Sequence, residues 1–211
     1  MTLRPQWVFA IAVLLVGCRD AAAPDDQHVV GDVVAAQTPS AGLHILQQAL
    51  TAPTLETYQV SFWARRNRAS AVIVNYQPAA GESVGNPFLR FSIPKDGLRT
   101  GGAGAHLRHR DSVLITLTID PVDFSVDFEP SGVRFSGRRP ATLAVWYGNA
   151  NPDLNGDGVV DTADQALVEQ LAIWGRPARP ARWMRTASRA LTGQQWVLGA
   201  IRHFSEYAVS W

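Results

Sequence analysis

From Tyr58 onward the chain is broken into short β-branched and aromatic runs separated by Gly, Pro and Asp, and this spacing constrains its fold more than any other feature. Ser112-Val-Leu-Ile-Thr-Leu-Thr-Ile119 is the longest such run. Others span Tyr58–Ala64, Ala71–Tyr76, Phe88–Ile93, Phe124–Phe128, Val133–Phe135, Ala141–Tyr147, Trp196–His203 and Tyr207–Trp211, with Pro94-Lys-Asp-Gly97 as a turn. Alternating apolar and polar residues suit strands with one buried face, and many short strands at this spacing predict an antiparallel β-sandwich. Residues 54–211 make one domain in size, and a composition of 46% hydrophobic and 18% charged residues supplies a core. Among the seven tryptophans, those in strands, including Trp63 and Trp146, are expected to fill that core, while flat aromatic faces also keep sugar stacking open. Leu43 to Leu50 is expected to form one or two helical turns before Pro53.

One segment breaks the strand pattern. Asp153 to Asp164 reads D-L-N-G-D-G-V-V-D-T-A-D. Oxygen-bearing side chains fall at loop positions 1, 3, 5, 9 and 12, on Asp153, Asn155, Asp157, Asp161 and Asp164. Gly158 takes position 6, where the chain must turn, and Val159 takes position 7, where the ligand is the backbone carbonyl. Val160 is expected to anchor the loop to the protein. Six oxygens aimed at one point suit a hard divalent cation, so the expected cofactor is Ca2+. No His or Cys lies in the loop, which favours a structural ion whose binding energy becomes local folding energy. The segment resembles an EF-hand, and more closely a single dockerin repeat, over residues 152–175. That resemblance implies an exit helix through Gln165–Gly175, with Leu167, Val168, Leu171 and Trp174 on one apolar face. A second D-x-N-x-D-G does not occur, whereas a complete dockerin has two repeats.

The N-terminus is expected to be a targeting segment over residues 1–17. Arg4 is basic and Trp7 to Val16 is an unbroken apolar run, too short for a permanent membrane span. It ends Leu15-Val16-Gly17-Cys18, which resembles a bacterial lipobox and implies lipidation of Cys18, the single cysteine of the chain. Arg19 after the cysteine resembles an outer-membrane passenger. Residues 18–53 then read as the lipidated Cys followed by a flexible tether. The implied location is the bacterial cell envelope, with the membrane as a partner through Cys18.

A further resemblance rests on Phe91–Leu98, Phe128–Phe135, Pro140–Leu143 and His203-Phe-Ser-Glu-Tyr-Ala-Val209, whose order is similar to the ZU5-type β-sandwich. It implies a ZU5-like sandwich with the calcium loop and helix inserted between its strands. In some proteins with ZU5-type domains a His-Phe-Ser sequence cuts itself by an N-to-O acyl shift, which would here involve His203, Phe204 and Ser205. The reading from residues alone is a closing strand with a buried Phe204, and no enzymatic activity.

A net charge of +1 gives no electrostatic case for nucleic acid. His106 and His109 lie three apart in a basic loop and read as solvated rather than as a zinc pair. The Gly101-Gly102 and Gly104 loop lacks the flanks of a phosphate cradle, and no G-x-S-x-G, Walker-type, Rossmann or H-E-x-x-H motif occurs. The expected function is a lipid-anchored, calcium-binding envelope protein with a structural or interaction role. The alternatives are a carbohydrate-associated extracellular module, implied by the dockerin likeness, and a domain that cleaves itself at Phe204-Ser205. A protein or glycan partner is expected in the first two.

Overall fold

A computed structural model describes residues 43–176 and 182–211. In chain order the strands are β1 (Gln59–Arg65), β2 (Ser70–Asn75), β3 (Pro87–Ile93), β4 (Leu98–Thr100), β5 (Ser112–Ile119), β6 (Ser125–Glu129), β7 (Arg134–Phe135) and β8 (Ala141–Trp146). The single helix among the described residues, α1 (Thr162–Val168), follows, then β9 (Ala172–Arg176), β10 (Met184–Arg185), β11 (Ser188–Leu191), β12 (Trp196–Ile201) and β13 (Glu206–Ser210). They form a six-stranded sheet in the order β1-β5-β6-β13-β9-β10, a five-stranded sheet in the order β11-β12-β8-β3-β2, and a small β4-β7 pair. Every pairing is antiparallel.

The two large sheets pack face to face because alternate side chains on each are apolar. In β5 the inward set is Val113, Ile115, Leu117 and Ile119, all buried, while Ser112, Leu114 and Thr118 are exposed. Register carries the pattern across the sheet: Val60 faces Leu117, which faces Phe128, and Ile119 faces Val126, which faces Tyr207. Aromatic rings join the layers. Phe91 of the five-stranded sheet lies 4.7 Å from Phe128 of the six-stranded sheet, and Phe128 lies 5.2 Å from Phe204. β9 and β12 pack closely across the layers, where a Cβ added to Gly199 would sit 2.8 Å from Ile173 Cδ1.

The expected mainly β, sandwich-type fold is what the structure has, and the run 112–119 matches β5 residue for residue. Three local expectations need correction. Leu43–Leu50 is not helical: Ile45, Gln47 and Gln48 make isolated antiparallel bridges to Ser210, Asp123 and Ala150. Buried Leu46 gives the reason, since its amide and carbonyl are taken by Val209 and Phe124 of the sandwich. The exit helix stops at Val168, and residues 172–176 form β9 between β13 and β10. Leu171, Ala172 and Ile173 are each almost fully buried, and a short apolar run of this kind is ambiguous between helix and strand until a partner ladder is available. Trp63 is not core. It points outward from β1 and is 65% exposed, whereas Trp146 packs against the core.

Candidate metal centre

The loop 153–164 and α1 connect β8, in the five-stranded sheet, to β9, in the six-stranded sheet. The segment is therefore a crossover at one end of the sandwich and not an appendage. Its first turn is built by side-chain oxygens accepting nearby backbone amides. Asp153 accepts Gly156 N–H at Oδ1 (2.8 Å) and Gly158 N–H at Oδ2 (2.9 Å). Asn155 Oδ1 accepts Asp157 N–H (3.0 Å), and Asp157 Oδ1 accepts Val159 N–H (2.8 Å). Gly156 and Gly158 have φ of 75° and 85°, the left-handed conformation that glycine tolerates and that curls the backbone around the loop centre.

Asp164 closes the ring. Its Oδ1 accepts the amides of Leu154 (2.7 Å) and Asn155 (3.2 Å), and its Oδ2 accepts the amide of Asp161 (3.0 Å). Asp161 in turn caps α1 by accepting Ala163 N–H (2.7 Å), so the two residues form a reciprocal capping box. Asp164 is 2% exposed. The Asp161 amide holds its carboxyl below the usual carboxylate range; desolvation pulls the other way, and the amides of Asn155 and Leu154 add to the lowering.

The donor chemistry fits a hard cation: four carboxylates, one amide oxygen at Asn155 and the Val159 carbonyl, with no soft ligand among them. Asp153, Asn155, Asp157 and Asp161 are exposed or half-buried, and their oxygens retain lone pairs beyond those spent on amides. Among the described residues no three His, Cys, Asp or Glu side chains converge to metal-holding positions. The oxygens of the loop are thus arranged around the backbone amides in this structure.

The anchor is not Val160, which is 61% exposed. Leu154, inside the loop, and Val168, on α1, pack against the core instead. Leu154 follows Asp153, whose carboxylate turns the chain back, and the Asp164 contact draws its amide inward. The alternation of Asp153, Leu154 and Asn155 carried that signal in the sequence. Asp123 has no counterpart among the sequence expectations. It shares a surface groove with Asp153 and Asn155, thirty residues away in the chain, and its carboxyl is pushed up by burial and by Asp120, against a hydrogen bond with Gln47.

His203, Phe204 and Ser205 lie just before β13. Phe204 and Ser205 are buried, and Phe204 N–H donates to Val133 O (3.0 Å). Ser205 Oγ donates to the Glu206 carbonyl (3.1 Å), while His203 Nδ1 lies 3.3 Å from the Phe204 carbonyl. The Ser205 hydroxyl is thus turned toward the following Glu206 carbonyl, whereas the alternative acyl shift would need it to attack the preceding Phe204 carbonyl. Residues 1–17, Cys18 and most of the tether lie outside the described residues. Comparison with protein families, curated proteins and solved structures finds no match to this chain.

Proposed function

We propose that this protein is a calcium-stabilised, ZU5-like β-sandwich anchored to the bacterial cell envelope through lipidated Cys18, with a structural or interaction role and no enzymatic activity. The observation that carries the calcium reading is the loop itself. Oxygens at the six coordinating positions fall within one twelve-residue segment that crosses between the two sheets. Bound calcium would offset half of the negative charge of the four carboxylates held within that segment. Asp164 joins the end of the loop to its start through the Leu154 amide, Asp153 folds the first half back through the Gly158 amide, and Leu154 and Val168 tie the segment to the core. Ordering this loop therefore holds β8 and β9 in their separate sheets. Binding energy becomes stability of the sandwich by linkage.

The lipid anchor rests on the apolar run Trp7–Val16 ending in Gly17-Cys18. The test of the calcium reading is calorimetric titration of the wild type and of Asp157→Ala, paired with thermal unfolding. Wild type is expected to bind one calcium ion and to gain about 2.7 kcal/mol of unfolding free energy at a free concentration a hundredfold above Kd, seen as a higher Tm. Asp157→Ala should lose that gain while keeping the unfolding temperature measured in EDTA. A wild-type Tm that does not respond to calcium refutes the reading.

A further inference from the structure

The outward face of the six-stranded sheet carries a polar lattice with an exposed indole, Trp63, and Arg176 at its edge lies 4.5 Å from the centroid of the Trp183 ring. Strand register places Gln59, Thr118, Asp127, Glu206 and Arg176 in a single row across five strands. The next row holds Ser61, Thr116 and Glu129, and the row beyond it pairs Trp63 with Leu114. Trp63 is 65% exposed and Leu114 44%. Gln59 Nε2 donates to Thr118 Oγ1 (3.3 Å), the Ser61 and Thr116 hydroxyls share a 2.8 Å hydrogen bond, and Arg176 is ion-paired with Glu206. A groove of about 580 Å³ runs over the β5, β6, β13 and β9 part of this face and includes Asp120, Asp127, Glu129, Arg176 and Glu206 in its walls.

We infer that this face is a binding surface for an uncharged polysaccharide chain. Strands lie about 4.8 Å apart, close to the length of one pyranose ring, so the first row offers a hydrogen-bonding group roughly once per sugar over about 19 Å. Carboxylates accept from sugar hydroxyls, the guanidinium and amide donate to them, and Ser and Thr do both. The exposed indole of Trp63 presents a flat apolar face to the C–H face of a ring, as amphipathic aromatics do at wet interfaces. Charge selects against other partners. Four groove carboxylates face one guanidinium, which repels nucleic acid, acidic glycans and anionic lipid. Two apolar side chains set among hydroxyls are too few for the desolvated centre of a protein interface. No residue of this face belongs to the loop 153–164, so below the unfolding temperature measured in EDTA glycan binding here does not depend on calcium.

The test is native affinity electrophoresis of the full chain in detergent, through gels containing hydroxyethyl cellulose, galactomannan, laminarin or alginate. Retardation by at least one of the three neutral polymers, not by alginate, and equally in calcium and in EDTA, is the expected result. Trp63→Ala and Asp127→Ala should each weaken it by about tenfold or more without lowering the thermal unfolding temperature, since both side chains are exposed. Lack of retardation by all three neutral polymers overturns the inference, as does retardation by alginate or binding indifferent to Trp63→Ala. A doubling of solution mass that Trp63→Ala reverses also overturns it, by assigning the face to a second copy of the chain.

Discussion

At the scale of the residue, Asp164 does two jobs with one side chain: it accepts three backbone amides that close the loop, and it holds the N-terminal turn of α1. Because its carboxyl sits below the ordinary carboxylate range in the folded protein, its contribution is present above the unfolded value of about 4 and is lost as pH falls through the folded value. Thermal unfolding in EDTA should therefore fall with acidification below about pH 4, and Asp164→Asn should flatten that part of the profile and lower Tm at neutral pH. A profile identical to wild type in that variant would show that the carboxylate contributes nothing. Gly175 acts by having no side chain. A Cβ there would stand 2.7 Å from the Tyr207 ring, whose hydroxyl donates to the His203 carbonyl (2.6 Å). Gly175→Ala is expected to destabilise by about 1–3 kcal/mol through overpacking, read from denaturant midpoints.

At the scale of the element, strands with strict alternation are legible in the sequence, whereas β9, buried on both faces, is not. β5 alternates Ser112, Leu114, Thr116 and Thr118 against Val113, Ile115, Leu117 and Ile119, so period alone identifies it. β9 reads Ala-Ile-Trp-Gly-Arg and has no polar face, because its outward side is also covered at Ala172 and Trp174. The apolar positions Leu167, Val168, Leu171 and Trp174 fit a helix equally well, and the ladder to β13 decides between them. β4, β10 and β11 are two to four residues long and carry too little pattern to stand out. Phe128 on β6 is the element-scale keystone, in contact with Phe91, Phe204 and Tyr207 from three other parts of the sandwich. Phe128→Ala is expected to cost about 3–5 kcal/mol, whereas Trp63→Ala on the opposite face of the same sheet should cost little. Urea unfolding of the pair measures the contrast.

At the scale of the whole molecule, the proposed calcium staple and the proposed lipid anchor make separable predictions. Cys18→Ser should release the protein from the membrane fraction into the soluble fraction, and the wild type should carry an acylated Cys18 as its first residue by mass spectrometry. Wild type that remains soluble and begins near Ala23 would overturn the anchor and leave the calcium proposal untouched. The sequence by itself determines the chemistry that is local in the chain. The six loop oxygens, the turn glycines Gly156 and Gly158, the alternation of β1 and β5, and the run ending at Cys18 are all written at fixed short spacings. Period and spacing are properties of neighbours along the chain, so they hold whatever the fold. Tertiary structure alone decides which face each residue meets. It turns Trp63 outward and Leu154 inward, buries Leu171 and makes Ala172–Arg176 a strand, draws Asp123 beside the loop, and aligns Gln59, Thr118, Asp127, Glu206 and Arg176 into one row. Those outcomes depend on strand order and register between segments far apart in sequence, where burial and ladder hydrogen bonds outweigh local preference.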